Sequence, residues 1–313
     1  MIVALHHGIK VHPEGNWSSK TSLQLEPYLG GEIDEDTQKP SPTAYGAASV
    51  RADLMKQVVL ACNAAGLDVN THVDGSQTIR NMVDAIEVSR KAGHTATRNQ
   101  LSHLFWTHPD DLKRILDMDL TVNITPNFST DWSGQKGLAL KLLGAERVKQ
   151  QLSMYPKVFD NGNKVSLSAD IPSAPIEHIG PLFHMQTAMT LRDPTNPKSE
   201  AFPAGRKGIT LEQAIKAVTI YPAWQLRMEN KIGSLEVGKY ADLVILDTNL
   251  FDVKADELTK VDVVSTMMNG KFTYQSNGKQ SRSTGYDRYK QIAMNQFFEI
   301  FYHGPAHGPD GHQ

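Results

Sequence analysis

Apolar and polar positions alternate with a period of two over residues 67–72, where Leu67, Val69 and Thr71 face one way and Asp68, Asn70 and His72 the other. That spacing predicts a short strand with two unlike faces. On either side the period lengthens to that of a helix. Val50, Leu54, Val58, Ala61, Cys62 and Ala65 recur at helical intervals, with Ser49 as the expected cap and Gly66 as the stop. Ser76 opens a second helix that carries Ile79, Met82, Val83 and Ile86 on one face and closes at Gly93. A strand over 99–103, a helix from about Thr107, a strand over 121–124, a loop over 126–136, a helical stretch over 137–154 and a strand over 164–169 follow. Residues 13–48, rich in Gly, Pro, Ser and acids, read as a long loop over one face.

With a first strand over 9–12, this makes five strands joined by helices, the pattern of a parallel sheet with helices outside. The expected fold is α/β, an incomplete (β/α)8 TIM-type barrel with about five of the eight strands that closure requires. Helices over about 178–191 and 210–220 complete it, the second opening on the capping-box spacing Thr210…Gln213. The texture then changes. Residues 233–247 hold a short apolar strand between turns, and 263–275 form a hairpin around Asn269-Gly270, which predicts a type I′ turn. The expected division is a partial barrel over 1–230, a small β-sandwich module over 231–275, and a polar, partly disordered tail over 276–313.

Composition excludes several classes. The 313 residues are 40% hydrophobic and 21% charged, as in ordinary globular enzymes, and the formal net charge of −2 gives no reason to expect nucleic acid or an anionic membrane as partner. No apolar run reaches the roughly 18 residues needed to cross a bilayer. The single cysteine, Cys62, rules out an intrachain disulfide. Residues 1–5 are too short for a signal h-region and lack a basic n-region. They run straight into a strand, so the chain is expected to start partway through an α/β unit.

Three strand ends carry groups suited to chemistry: His72, His103 and Asp170. In the last strand Lys164, Ser166, Ser168 and Asp170 share one face. The C-terminal ends of strands are where α/β barrels place their sites. Two imidazoles and a carboxylate suit a Zn2+-type site, while each residue alone is as compatible with a structural role.

The order Gly8-Ile9-Lys10…Glu14-Gly15, His72-Val73-Asp74-Gly75, Leu101-Ser102-His103 and Ser168-Ala169-Asp170-Ile171-Pro172 resembles the amidohydrolase superfamily in its family 3 branch. The run from Gly233 to Asp247 is similar to that superfamily's C-terminal signature, and Met268-Asn269-Gly270-Lys271 to the strand after it. The resemblance covers about residues 8–275. It implies a (β/α)8 barrel with a β-sandwich built from both chain ends. It also implies His72 and His103 as metal ligands, Asp170 as ligand and proton shuttle, and Lys10 at a position that can bridge two metals as a carboxylated lysine. The implied cofactor is a divalent metal, Zn2+ by donor type, with one or two ions in a complete enzyme. The implied reaction is hydrolysis of a C–N bond of amide type, with esters or lactones as the nearest alternative substrates and a catalytically dead partner or scaffold as the alternative from another class.

The sequence departs from that pattern in one important way. The family's strand-one His-x-His has no counterpart, since His6-His7 lacks the spacing. Ser76 also stands where many members carry Asp. The chain is therefore expected to be the C-terminal portion of a larger or split enzyme, whose partners are a small-molecule substrate and either the missing N-terminal segment or a second copy. His178, near the barrel mouth, is a candidate for substrate contact. His12 reads as a loop histidine and His184 as packing. Asp74 either orients His72 or simply forms the turn. Trp106 and Trp132 either shape a pocket or pack. His303, His307 and His312 look like tail residues.

Overall fold

A computed structural model describes residues 2–5, 7–171, 179–196 and 198–276. The expected tail, its 292–302 amphipathic patch and its three histidines lie outside the described residues. Among those described, the main sheet has six strands in sequential order. Five run parallel: β2 (Gly8–Val11), β3 (Asp68–Val73), β4 (Gln100–His103), β5 (Thr121–Ile124) and β6 (Val165–Leu167). The sixth is an addition to the sequence expectation. β1 (Ile2–Leu5) folds back antiparallel on β2, with Ile2 opposite Val11 and Leu5 opposite Gly8. It covers the edge of β2 that the five-strand count leaves bare, so that side is not an open ladder.

Helices α1 (Ala52–Ala64), α2 (Ser76–Lys91), α3 (Pro109–Asp117), α4 (Gln135–Gln151), α5 (Tyr155–Asp160), α6 (Pro181–Thr190), α7 (Leu211–Val218) and α8 (Ile220–Gln225) alternate with the strands or follow them. The apolar stripe on α2 is buried as its spacing predicts. Ile79, Met82, Val83 and Ile86 pack with Val69, Val73, Leu101 and Val122 from the strands and with Met55 and Val59 of α1. No helix among the described residues is long and apolar enough to cross a membrane.

Three local expectations are corrected. α1 starts at Ala52, with Arg51 rather than Ser49 at its N-cap; the Ser49 hydroxyl instead donates to the Pro13 carbonyl at 2.9 Å. The single helix expected over 137–154 is broken at Gly144 (φ +83°) and is followed by the separate α5. The loop over 13–48 is packed rather than loose. Trp17 and Tyr28 are buried in it, Pro42–Tyr45 forms a 3-10 turn, and Tyr28 N–H donates to the Ala44 carbonyl at 2.8 Å.

The C-terminal module is a three-stranded antiparallel sheet of β7 (Leu243–Leu246), β8 (Val263–Met268) and β9 (Lys271–Gln275). Its hairpin turns at Asn269 (φ +49°) and Gly270 (φ +75°), the two positive φ values a type I′ turn needs. The expected capping box is present at α7, where the Thr210 side chain accepts from Gln213 N–H and the Gln213 side chain accepts from Thr210 N–H.

Candidate metal centre

Strand register sets the site. His72 lies beside Ser102, Ser102 beside Asn123, and Asn123 beside Ser166, while Lys10 lies beside Asn70 one step lower. These side chains share one face of the sheet. Lys10 Nζ donates to Asn70 Oδ1 at 3.2 Å, and the Ser102 hydroxyl donates to the same oxygen at 2.6 Å. Asn123 Nδ2 donates to Ser166 Oγ at 2.7 Å, and Ser166 in turn donates to Gln225 Oε1 at 2.7 Å. Barrel interiors are usually filled by Val, Ile and Leu, so this polar layer is a departure that hydrogen bonding offsets.

Alternation alone would send His103 away from this face, because its neighbour Ser102 already points inward. The backbone reverses that. His103 and Leu104 adopt φ of +75° and +50° at the end of β4, and the imidazole comes to lie 4.6 Å from that of His72, centroid to centroid and edge-on. Asp170, three residues past β6, also has positive φ, at +50°. Left-handed backbone at a non-glycine residue costs on the order of 1–3 kcal/mol and persists only where the surroundings hold it. Here it falls on two of the residues singled out from the sequence.

Burial controls the protonation of the pair. It pushes both His72 and His103 down to about 3, and the neighbouring His12 and Lys10 charges push the same way. Both rings are neutral near neutral pH and can offer a lone pair. His72 Nε2 sits 2.8 Å from the Gly15 carbonyl oxygen. A carbonyl only accepts, so Nε2 carries the proton and Nδ1 is left as the donor atom. His103 Nδ1 is buried without a hydrogen-bond partner. Lys10 is pushed down to about 8 by burial, against the opposing pull of Asp170.

These donor types fit a divalent ion that takes nitrogen and oxygen ligands: the two imidazoles are in ring contact, Lys10 acts electrostatically on both, and Asp170 acts on Lys10. It is a partial shell. Among the described residues no group of three or more His, Cys, Asp or Glu side chains is gathered closely enough to hold a metal.

Other expectations divide. His12 is no bystander in the loop: its ring stacks on His72 at 4.0 Å, with 22° between planes. Asp74 does not orient His72; its Oδ2 accepts the Trp17 N–H at 3.3 Å, and burial raises it well above the usual carboxylate range. Ser76 serves the loop, accepting Leu25 N–H at 2.9 Å and donating to Gln24 Oε1 at 3.1 Å. Trp106 packs, fully buried and edge-on to Trp17. Trp132 stacks on Phe128 at 5.9 Å, and Phe128 on His103 at 6.5 Å. His184 is buried in α6 beside Phe183. His178 lies outside the described residues.

Glu14 contributes to the site in a way that its sequence context does not announce. It is 4% exposed and accepts four hydrogen bonds. Burial pushes it up to about 7 against those bonds. The acid in Pro13-Glu14-Gly15 was visible, but nothing in the sequence ties it to partners some sixty positions later.

The pattern of the amidohydrolase family matches residues 4–274. Among curated proteins, the chain is 26% identical over 268 residues to Protein LONG AFTER FAR-RED 3 of Arabidopsis thaliana, covering 85% of this chain and 42% of that one. It is 25% identical over 272 residues to the N-substituted formamide deformylase of Arthrobacter pascens, covering 82% and 48%. Among solved structures, an uncharacterized metal-dependent hydrolase from Pyrococcus horikoshii superposes with a TM-score of 0.63 at 19% identity, covering 80% of this chain and 46% of that one. The chain thus spans less than half the length of each of these proteins.

Proposed function

The chain belongs to the amidohydrolase family, and from that premise we propose that it carries the C-terminal half of a metal-dependent centre that hydrolyses a C–N bond of amide type. The observation that supports this most is the pair of buried, neutral imidazoles, His72 and His103, at the ends of adjacent parallel strands. His72, through Nδ1, and His103 would hold the metal, with Lys10 and Asp170 as the remaining donors from this chain. A divalent ion held there would acidify a water and polarise a substrate carbonyl. Asp170 would serve as the proton shuttle, taking a proton from the attacking water and returning it to the leaving nitrogen, the role the family resemblance implies for it. Burial keeps Lys10 partly neutral near pH 8, the form that can act as a ligand or be carboxylated.

The reading includes ligands from polypeptide outside these 313 residues, since no His-x-His occurs in the sequence. The amide preference leans on the deformylase relative, which is named for an N-substituted formamide. Zn2+ as the ion leans on the mixed nitrogen and oxygen donors. One observation favours a second reading, a fold-retaining partner without a working centre: three protein ligands are not gathered among the described residues.

The deciding experiment measures metal content and Zn2+ titration of the purified chain beside His72→Ala/His103→Ala. The catalytic reading expects binding that the double substitution abolishes. Absence of tight binding with a His-x-His-bearing segment supplied in trans, or binding indifferent to both substitutions, overturns it. Paired amide and ester analogues, assayed with a His-x-His-bearing segment supplied in trans, separate amidase from esterase chemistry.

A further inference from the structure

Glu14 lies beneath the turn that follows His72. Its Oε1 accepts the backbone N–H of Asp74 at 2.7 Å and of Gly75 at 2.8 Å. Its Oε2 accepts the Leu23 N–H at 2.7 Å and the Thr78 hydroxyl at 2.6 Å. Four donors fill the acceptor capacity of one ionised carboxylate. Two of them sit two and three residues past His72, so they hold the strand end from which the ring projects. The residue after Glu14 is Gly15, whose carbonyl takes the His72 Nε2–H at 2.8 Å, and Gly15 N–H is itself tied to the Thr21 carbonyl at 2.9 Å. One carboxylate therefore anchors both sides of the hydrogen bond that orients His72.

The glycines around it answer to the same close fit. A Cβ on Gly15 would stand 2.0 Å from Thr21 Oγ1, and one on Gly75 would stand 2.2 Å from the Leu23 carbonyl oxygen. The loop over 13–48 approaches the His72 turn this closely because Gly75 lacks a side chain, and Gly15 lets the loop fold tightly on its own Thr21.

We propose that Glu14 is a positioning residue that sets the Nε2–H tautomer of His72 and so leaves Nδ1 as its metal-binding atom. A backbone carbonyl that fixes the tautomer of a metal-binding histidine is a known way of orienting such a ligand; here a buried carboxylate one residue away holds that carbonyl and the ring's own turn in register. The purpose of this arrangement rests on His72 being a ligand, whereas the tautomer itself does not.

The test uses the metal-free full chain labelled with 15N-histidine. His72 ring nitrogens are assigned through His72→Gln and read by long-range 1H–15N correlation. The wild-type ring is expected to carry its proton on Nε2. Glu14→Gln sets amide hydrogens against backbone N–H donors, and the population of the Nδ1–H form is expected to rise by at least about fivefold, the effect of losing one ordinary hydrogen bond. Circular dichroism establishes that the variant is folded. A folded Glu14→Gln with unchanged tautomer overturns the proposal, as does a wild-type ring protonated on Nδ1. If Glu14→Gln does not fold, Thr78→Val removes one donor with little change of shape. A smaller shift in the same direction then supports the proposal, and no shift overturns it. Zn2+ calorimetry on the same samples, with a His-x-His-bearing segment supplied in trans, judges the metal reading separately: a wild-type chain that then binds no Zn2+ loses that reading whatever the tautomer shows, and a chain that binds Zn2+ with an indifferent tautomer keeps it while losing the role of Glu14.

Discussion

At the scale of single residues, the site depends on departures from regular backbone. His103 enters the mouth because φ at His103 and Leu104 is positive; in a continuing strand it would face the helices. Burial of His103 and His72 then has a consequence for pH. Both rings fall from an ordinary 6.5 to about 3 in the folded chain. Between those values the unfolded chain binds protons that the folded chain refuses, so this contribution to stability falls as pH falls through the window. Glu14 is raised to about 7 and Asp74 is raised as well, and they act in the opposite sense. The clean measurement is therefore a difference. His72→Gln/His103→Gln removes the two imidazoles, and the melting temperature of the variant minus that of the wild type should rise as pH is lowered from 7 to 5. A flat difference would contradict the buried, neutral assignment.

At the scale of elements, the βα turn after β3 and the loop over 13–48 form one packed unit. Leu23 backbone atoms N, C and O would stand within 2.8 Å of a Cβ on Gly75. Backbone cannot swing aside as a side chain can, so Gly75→Ala is expected to destabilise the chain by about 1–3 kcal/mol in urea unfolding. Gly137 offers the contrast. It lies inside α4, and an alanine methyl there would meet nothing within 4 Å. Gly137→Ala should stabilise by up to about 1 kcal/mol, because alanine loses less backbone entropy in a helix. Equal effects at the two sites would refute the close-approach account. The same packing explains why Ser49 fails as a cap: Pro13, at the start of this loop, takes its hydroxyl instead.

At the scale of the whole molecule, the β-module carries exposed apolar side chains among the described residues. Val244, Ile245, Met268 and Phe272 are exposed on its strands, and Leu235 and Phe251 on the connections beside them. Where such side chains join into one patch they mark an interaction face or an aggregation hazard. The chain is expected to enhance the fluorescence of an apolar dye in its native state. Val244→Thr/Phe272→Thr should lower that signal while the thermal midpoint holds; an unchanged signal would place the dye elsewhere.

Periodicity was enough to locate the five parallel strands, the buried stripe of α2, the hairpin turn at Asn269-Gly270 and the capping box at Thr210, because each depends on neighbours within a few residues. The order of short motifs was enough to indicate the family. Tertiary structure alone decided the rest. β1 pairs back on β2, His12 stacks on His72, and His103 turns inward by a local reversal of φ. Glu14 reaches amides sixty and sixty-one positions away. Local pattern reports which face a residue prefers. Which carboxylate meets which turn depends on how the chain closes on itself, and no spacing along the sequence carries that.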